Sequence, residues 1–399
     1  MGRTGKTEKT WGEVNSLEFN SLEFNSSEFN INCTYFAGEK PCKFKRACKD
    51  CPFYTPVDFK ILIIKLAAIG DVLRTTPLLY GIKNLYHKSH ITWITDSSSV
   101  DVLKNNPFID KILTYDQGNV LRLQIEEFNV LYSLDKEIRA TALAEMVKAK
   151  EKKGFSFHKK GNIYPLNDEA LYAFRLGIDD ELKFKINQKT YQEIIFQACN
   201  MSYEKNEYIF NLLPEEIEEG KNYFYELGIR EHDIVIGLNT GAGHVYATKK
   251  WSPEGFIELA HKLHNNISNI KILLLGGPDE IERNSIIKEK APVIDTGHNN
   301  SLRRFASIIN NCHLVVTGDT LAMHLAIAQK IPVVTFFGPT CPQEIELYGR
   351  GKKIIANHEC LPCYKSECIR KVSCLYKMNS EEVYTSVMEL LSEMNVITE

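Results

Sequence analysis

The stretch KILIIKLAAIGDVLRTTPLL, Lys60 to Leu79, decides the fold. Its first part, Ile61 to Leu66, is apolar and rich in β-branched residues, as a buried parallel strand is. Gly70 marks a tight turn, and a helical pattern follows, carrying Val72, Leu73, Leu78 and Leu79 on its apolar side and running on to Tyr86. Strand, turn and helix in that order open a Rossmann-like unit. Such a turn ordinarily cradles phosphate, because glycine lets the backbone approach and the helix N-terminus offers free N–H groups with a partial positive charge. Here a single glycine is present and Asp71 follows it directly. A carboxylate in that place repels phosphate, so the turn must serve another group.

Working outward, short apolar strands alternate with amphipathic helices from Phe59 onward. The strands ITWIT, KILTY and NVLYSL continue a parallel-sheet series, which the lysine-dense KAKEKKGFSFHKKGN interrupts. That segment reads as a solvated loop, with an anionic or lipid-surface patch as its alternative. A helical stretch from about Tyr191 to Gly228 joins this half to a second series built on DIVIGLN, KILLLGG, VID, LVVTG and IPVVTFFG. The fold class is therefore α/β with GT-B architecture: two Rossmann-like domains facing a central cleft, where ligands meet the carboxyl ends of both sheets. Residues 58–213 form the first Rossmann-like domain and 214–399 the second, behind a cysteine-rich segment, 32–57, and a low-complexity tail, 1–31. The tail contains NSLEFNSLEFNSSEFN, whose five-residue period is too short to build a stacking repeat.

A chain of 399 residues exceeds one compact core, and two domains suit it. Its formal net charge of -3 gives no general attraction to nucleic acid. No apolar run approaches the roughly 20 residues of a spanning helix, and MGRTGKTEKT is not a signal peptide, so a cytoplasmic protein is expected. A G-x-G-x-x-G after a strand, which a nicotinamide oxidoreductase would carry, is missing.

Six motifs in order resemble glycosyltransferase family 9, the heptosyltransferase family. They are KLAAIGDVLRTTPLL, SLDKEIRATALAE, NTGAGHVYATKKWSPEGFIELA, LLLGGPDE, VVTGDTLAMHLAIAQKIPVVTFFGPT and CLPCYKSECIRKVSC. The resemblance implies an inverting transferase that moves a sugar, heptose from an ADP-heptose-like donor, onto a hydroxyl of an anionic glycolipid or glycan. Another nucleotide sugar, a protein hydroxyl, or a binding module with a decayed site are the alternatives. It makes Asp71 the general base on the acceptor, which suits single displacement from the face opposite the departing diphosphate. Lys249, two residues before Trp251, would neutralise charge on that diphosphate with no catalytic cofactor, and Lys250 is its neighbouring competitor. Thr240 and Gly241 would supply a hydroxyl and backbone N–H groups, and Glu280 would bind the ribose. Asp319, Thr320, Leu321 and His324 complete the donor side; the family commonly carries glycine where this chain has Leu321. Arg74 and Arg139 would hold acceptor anions with their guanidinium forks, although Arg139 could instead pair with Asp135 at helical spacing. Such an acceptor implies peripheral contact with the inner membrane surface.

Eight of the eleven cysteines fall in two groups, Cys33, Cys42, Cys48 and Cys51 before the first strand, and Cys360, Cys363, Cys368 and Cys374 after the last. Each group has one C-x-x-C step and four sulfurs, which suits a structural zinc or an iron centre. The second group could equally be thiols packed in a loop.

Overall fold

The computed structural model describes residues 29–242, 249–365, 367–368, 370 and 372–397. The repeat phenylalanines Phe19 and Phe24 lie outside them, as do Gly243 and His244 of the NTGAGH motif. Contacts divide the chain after Asp58 into two units.

The larger unit holds two six-stranded sheets. In the first, β1 (Lys60–Ile64), β2 (His90–Thr95), β3 (Lys111–Thr114), β4 (Glu127–Ser133), β5 (Lys148–His158) and β6 (Asn162–Pro165) lie in the order β3-β2-β1-β4-β5-β6. Each neighbouring pair is parallel except β5 with β6. The second sheet contains β7 (Ile234–Asn239), β8 (Ile270–Leu275), β9 (Ile294–Asp295), β10 (Leu314–Gly318), β11 (Val333–Phe337) and β12 (Gly351–Ile355). Its order, β12-β11-β10-β7-β8-β9, repeats the first topology, with all pairs parallel. Winding direction reverses between β1 and β4 in one sheet and between β7 and β10 in the other. Chain leaves the carboxyl ends of these strands in opposite directions there, opening a crevice for a ligand.

Helices cover both faces of each sheet, which is why the strands are apolar throughout. Ile61 and Ile63 of β1 enter one core cluster, and Leu62 and Ile64 enter another on the opposite face. Gly70, after β1, keeps that strand end slim where the second half approaches through His324, while Gly318 at the end of β10 makes room for the Lys249 carbonyl and the Phe336 ring.

Three local expectations change. The helix after β1 is two helices, Ile69–Thr75 and Leu78–Leu85, because Pro77 has no N–H to continue the first. KAKEKKGFSFHKKGN is not a loop: it forms β5 and the hairpin to β6. Lysine is tolerated because the amino-terminal part of β5 is mostly solvent-facing, while Phe155 packs inward. The stretch from Tyr191 breaks into helices Tyr191–Ala198 and Pro214–Glu226, with extended chain between them. Among the elements the periodicity reading did not name are β12 and the helix Ser380–Glu393. That helix buries Val383, Val387, Leu390 and Leu391 in the same core as Trp251, so it belongs to the second Rossmann-like half. Among the described residues, no helix is long and apolar enough to cross a membrane.

Candidate active site

The residues after β1 and β4 build one wall of the cleft. Asp135, just past β4, reaches across the switch point to the buried ammonium of Lys65 and to the Leu66 N–H. Burial alone would lower the lysine, but Asp135, Tyr191 and Asp71 outweigh it and raise it, so Lys65 stays charged. Asp71 stands in the first turn of the helix Ile69–Thr75, where the helix dipole favours a carboxylate. Arg74, one turn on, holds its Oδ1 at 2.8 Å and lies over the Tyr191 ring, 3.9 Å from the centroid. Burial works to raise the Asp71 carboxyl, yet the charges of Arg74 and Lys65 and a backbone N–H from Ala68 hold it down to about 2. The Arg74 Nε is buried and, among the described residues, has no hydrogen-bond partner.

The other wall grows from the ends of β7 and β10. Asn239, the last residue of β7, donates from Nδ2 to the Gly241 carbonyl and to the hydroxyls of Thr317 and Thr320. One amide thereby ties the turn after β7 to the start of the helix Leu321–Ala328, for which Thr320 is the N-cap. Thr240 is buried and spends its hydroxyl on Asn284 Oδ1, 2.5 Å away, so that hydroxyl faces the protein. The reason for Gly241 is also local: a Cβ there would stand 2.4 Å from Glu280 Cδ. Glu280 is buried, accepts from the Gly277 N–H at 3.1 Å, and faces the Lys250 ammonium at 3.4 Å. Lys249 donates to Asp319 Oδ2 at 2.8 Å and to its backbone carbonyl at 3.2 Å. Burial pushes the Asp319 carboxyl up, but Lys249 and His324 bring it below its usual range, so the pair is ionic.

His324 joins the walls. It feels the charges of Arg74, Asp319, Asp71 and Lys249 together. Burial, then Arg74, depress the imidazole to about 4, so it is neutral near pH 7. Its Nδ1 lies 3.4 Å from the Tyr208 hydroxyl. A Cβ on Gly70 would stand 2.6 Å from the ring, so glycine beside Asp71 is what lets the second half come this close. Between the walls lies a cavity of about 430 Å³ that Ile69, Gly241, Glu280, Thr320 and Leu321 line. It also takes in His298 and Asn300, which the sequence reading missed. Among the described residues the buried His298 Nδ1 has no hydrogen-bond partner, and its Nε2 lies 3.6 Å from Asp295. Both residues sit in the irregular DTGHNN segment, where periodicity carries no signal; the run of polar residues directly after a short strand was the available clue.

Of the expected donor residues, Glu280, Gly241, Thr320 and Leu321 meet at this cavity, and Lys249, Asp319 and His324 meet beside it. Arg139 has a different place. It pairs with Asp96 through two 3.0 Å hydrogen bonds and with Glu137 at 3.1 Å, and stacks over Tyr115. Its structural partner is therefore Asp96, not Asp135, because Asp135 is already committed to Lys65. Cys360, Cys363, Cys368 and Cys374 line a separate cavity of about 270 Å³ with His358, whose Nδ1 is 3.5 Å from Cys360 Sγ. Among the described residues, no three His, Cys, Asp or Glu side chains stand close enough together to hold a metal ion.

A carboxylate on one Rossmann-like half, with a lysine–aspartate pair and a helix start on the other, lies in the cleft of a GT-B-like α/β fold. The family model of glycosyltransferase family 9 (heptosyltransferase) matches residues 120–373, and the chain belongs to that family of glycosyltransferases. It is 22% identical over 322 residues to the lipopolysaccharide core heptosyltransferase OpsX of Haemophilus influenzae, covering 77% of this chain and 87% of that one. The solved glycosyl transferase family 9 protein of Veillonella parvula shares the fold at a TM-score of 0.68 and 21% identity, over 85% of this chain and 99% of that one. The ADP-heptose lps heptosyltransferase II of E. coli does so at 0.62 and 16%, over 84% of this chain and all of the other.

Proposed function

We propose that this enzyme transfers heptose from an ADP-heptose donor, with inversion, to a hydroxyl of an anionic acceptor of the lipopolysaccharide-core type. Relatives named as lipopolysaccharide core and ADP-heptose heptosyltransferases support the donor and the acceptor class. The observation that carries the reading is the meeting of Asp71, Arg74, His324, Asp319 and Lys249 across the cleft. The donor diphosphate would take Lys249 from Asp319 and lie against the N-terminus of the helix Leu321–Ala328, leaving the Asp319 carboxylate for sugar hydroxyls. The cavity beside Glu280 and His298 suits the nucleoside. An ammonium and a helix dipole can carry the leaving diphosphate's charge without a metal ion. The enzyme would work in the cytoplasm against the inner membrane surface, where such acceptors are exposed.

The test is donor binding followed by product analysis. ADP-heptose should raise the melting temperature of the purified chain and UDP- or GDP-sugars should not, since a ligand at 100 times its Kd adds about 2.7 kcal/mol of stability. Transfer to a core-type acceptor should give an inverted anomeric centre by NMR. Stabilisation by a UDP-sugar alone, or a retained configuration, would refute the proposal.

Arg74 has a role in this scheme beyond binding. Clamped by Arg74, Asp71 at about 2 is a weak base; an acceptor anion that draws the guanidinium away would restore its basicity as the reacting hydroxyl arrives. Removing Arg74 lets the carboxyl rise from about 2, so Arg74→Ala should move the acid limb of the kcat/KM profile to higher pH. Acceptor KM should rise in the same variant. An unmoved acid limb would separate Arg74 from the base.

A further inference from the structure

We infer that Cys33, Cys42, Cys48 and Cys51 form a structural zinc site that holds residues 29–58 in their fold. This inference is independent of the transferase reading, because the unit that ends at Asp58 contains none of the cleft residues.

The argument begins from what this segment lacks. Not one residue from Phe29 to Asp58 is fully buried. A segment this short with no apolar core cannot offset the conformational entropy of ordering its own chain, and small modules of this kind depend on a staple. Yet the segment has a defined shape. Asn32 accepts from the Val57 N–H and Thr55 from the Thr34 N–H, so the two ends run side by side, with Cys33 bridged to Pro56. The Phe44 ring stacks on Phe53 at 4.0 Å, and Tyr35 meets Phe44 edge-on at 5.2 Å.

What faces inward is sulfur. From Ala37 to Pro56, every residue is exposed except Cys42, Phe44, Cys48 and Cys51. Cys33 is half-buried as well. All four cysteines are free thiols. The backbone sets three of them in tight turns, Cys48 with Cys51 in one and Cys42 in another. The Cys51 N–H returns to the Cys48 carbonyl at 3.2 Å, and the Lys45 N–H returns to the Cys42 carbonyl at 2.9 Å. Asp50 and Lys45 adopt left-handed φ values of 53° and 49°, which curl the chain tightly at both places. Asn30 then fastens the two arms, because its side-chain amide donates to the Cys48 carbonyl at 3.1 Å while its own carbonyl accepts from the Cys33 N–H at 2.9 Å. Phe44 on Phe53 brings the Cys42 turn against the Cys51 turn in the same way.

Four thiols from two tight turns and one bridge match the tetrahedral thiolate set of a structural zinc, whose binding free energy is spent on folding. Their sulfurs are not already drawn together around one point, so the ion must bring the final side-chain rotation, releasing the thiol protons as it binds. Disulfides would be the rival staple, and they form in oxidising compartments.

The decisive experiment uses the full chain purified in reducing buffer without chelator. Elemental analysis should find about one zinc per chain that depends on the N-terminal group. Cys48→Ser with Cys51→Ser should lower the zinc content by that equivalent, whereas Cys360→Ser with Cys363→Ser should leave it in place. Cobalt(II) exchanged into the wild-type chain should show the visible bands of tetrahedral thiolate coordination, lost in the first variant and kept in the second. Should the first variant misfold, limited proteolysis of the wild type gives an independent answer. Lys40, Lys43, Lys45, Arg46 and Lys49 are all exposed, so trypsin should cut among them after chelation and not before, with zinc restoring protection. Zinc-free protein with unchanged tryptic resistance overturns the inference. So does a metal that follows only the C-terminal cysteines, iron with acid-labile sulfide at the N-terminal group, or these four thiols found as disulfides.

Discussion

Asp71→Asn should lower transfer by on the order of a hundred- to ten-thousandfold, the usual cost of removing a general base, with donor affinity almost unchanged. The amide keeps the shape of the carboxylate and can still meet a guanidinium edge, but it cannot take the acceptor proton. Turnover with a core-type acceptor and donor Kd by calorimetry check both halves of the statement. The comparison must be made on folded protein, and the sign of the stability effect is known. The Asp71 carboxyl lies at about 2, below its ordinary value. It therefore contributes stability above that ordinary value, and the contribution is lost as pH falls through about 2. The asparagine variant lacks it at neutral pH. Because the Asp71 side chain is 37% exposed, solvent screening keeps the loss small, and the melting temperature at pH 7 should fall only slightly. Wild-type turnover in the variant would remove Asp71 from the chemistry.

Lys249→Ala should weaken donor binding and turnover together, with kcat reduced by roughly a hundred- to a thousandfold, as for loss of one preorganised charge on a departing oxyanion. The structure sharpens the contrast with its neighbour. Lys249 is paired with Asp319 at the start of the helix that faces the cleft, while Lys250 faces Glu280 on the nucleoside side. Lys250→Ala should therefore raise the donor Kd modestly and leave kcat near wild type. The kcat and Kd of the two variants, measured side by side, decide the register. A larger kcat loss at Lys250 would exchange their roles. Lys249→Arg is a useful third point, since a planar fork restores charge but not the compact ammonium geometry, and it should recover binding better than turnover.

Much of this site was legible before any coordinates. Asp71 stands out because a carboxylate in a strand–glycine–helix turn contradicts the turn's ordinary use, and the family resemblance is what implies acceptor chemistry there. Lys249, Glu280, Asp319 and Thr320 were found through the order of the motifs. For Thr240 and Gly241 the structure adds relations within the protein: the hydroxyl serves Asn284, and the glycine makes room for Glu280. Neither relation could be read from spacing, because Asn284 and Glu280 come from a different segment of the chain.

What the sequence determined by itself is local and periodic. Apolar strands alternating with amphipathic helices required parallel sheets covered on both faces, and the order of the motifs carried the resemblance to the family. Tertiary structure decided which side chains share a space. It set Arg139 against Asp96 rather than Asp135, and made the lysine-rich segment a strand between β4 and β6, because backbone pairing on both sides outweighs its poor strand composition. It also placed His324 of the second half against Gly70 of the first, beside the base. Contacts of this kind join residues more than two hundred positions apart, and no period of 2 or 3.6 residues encodes them. They are settled only when two sheets, each folded by its own pattern, close on one another.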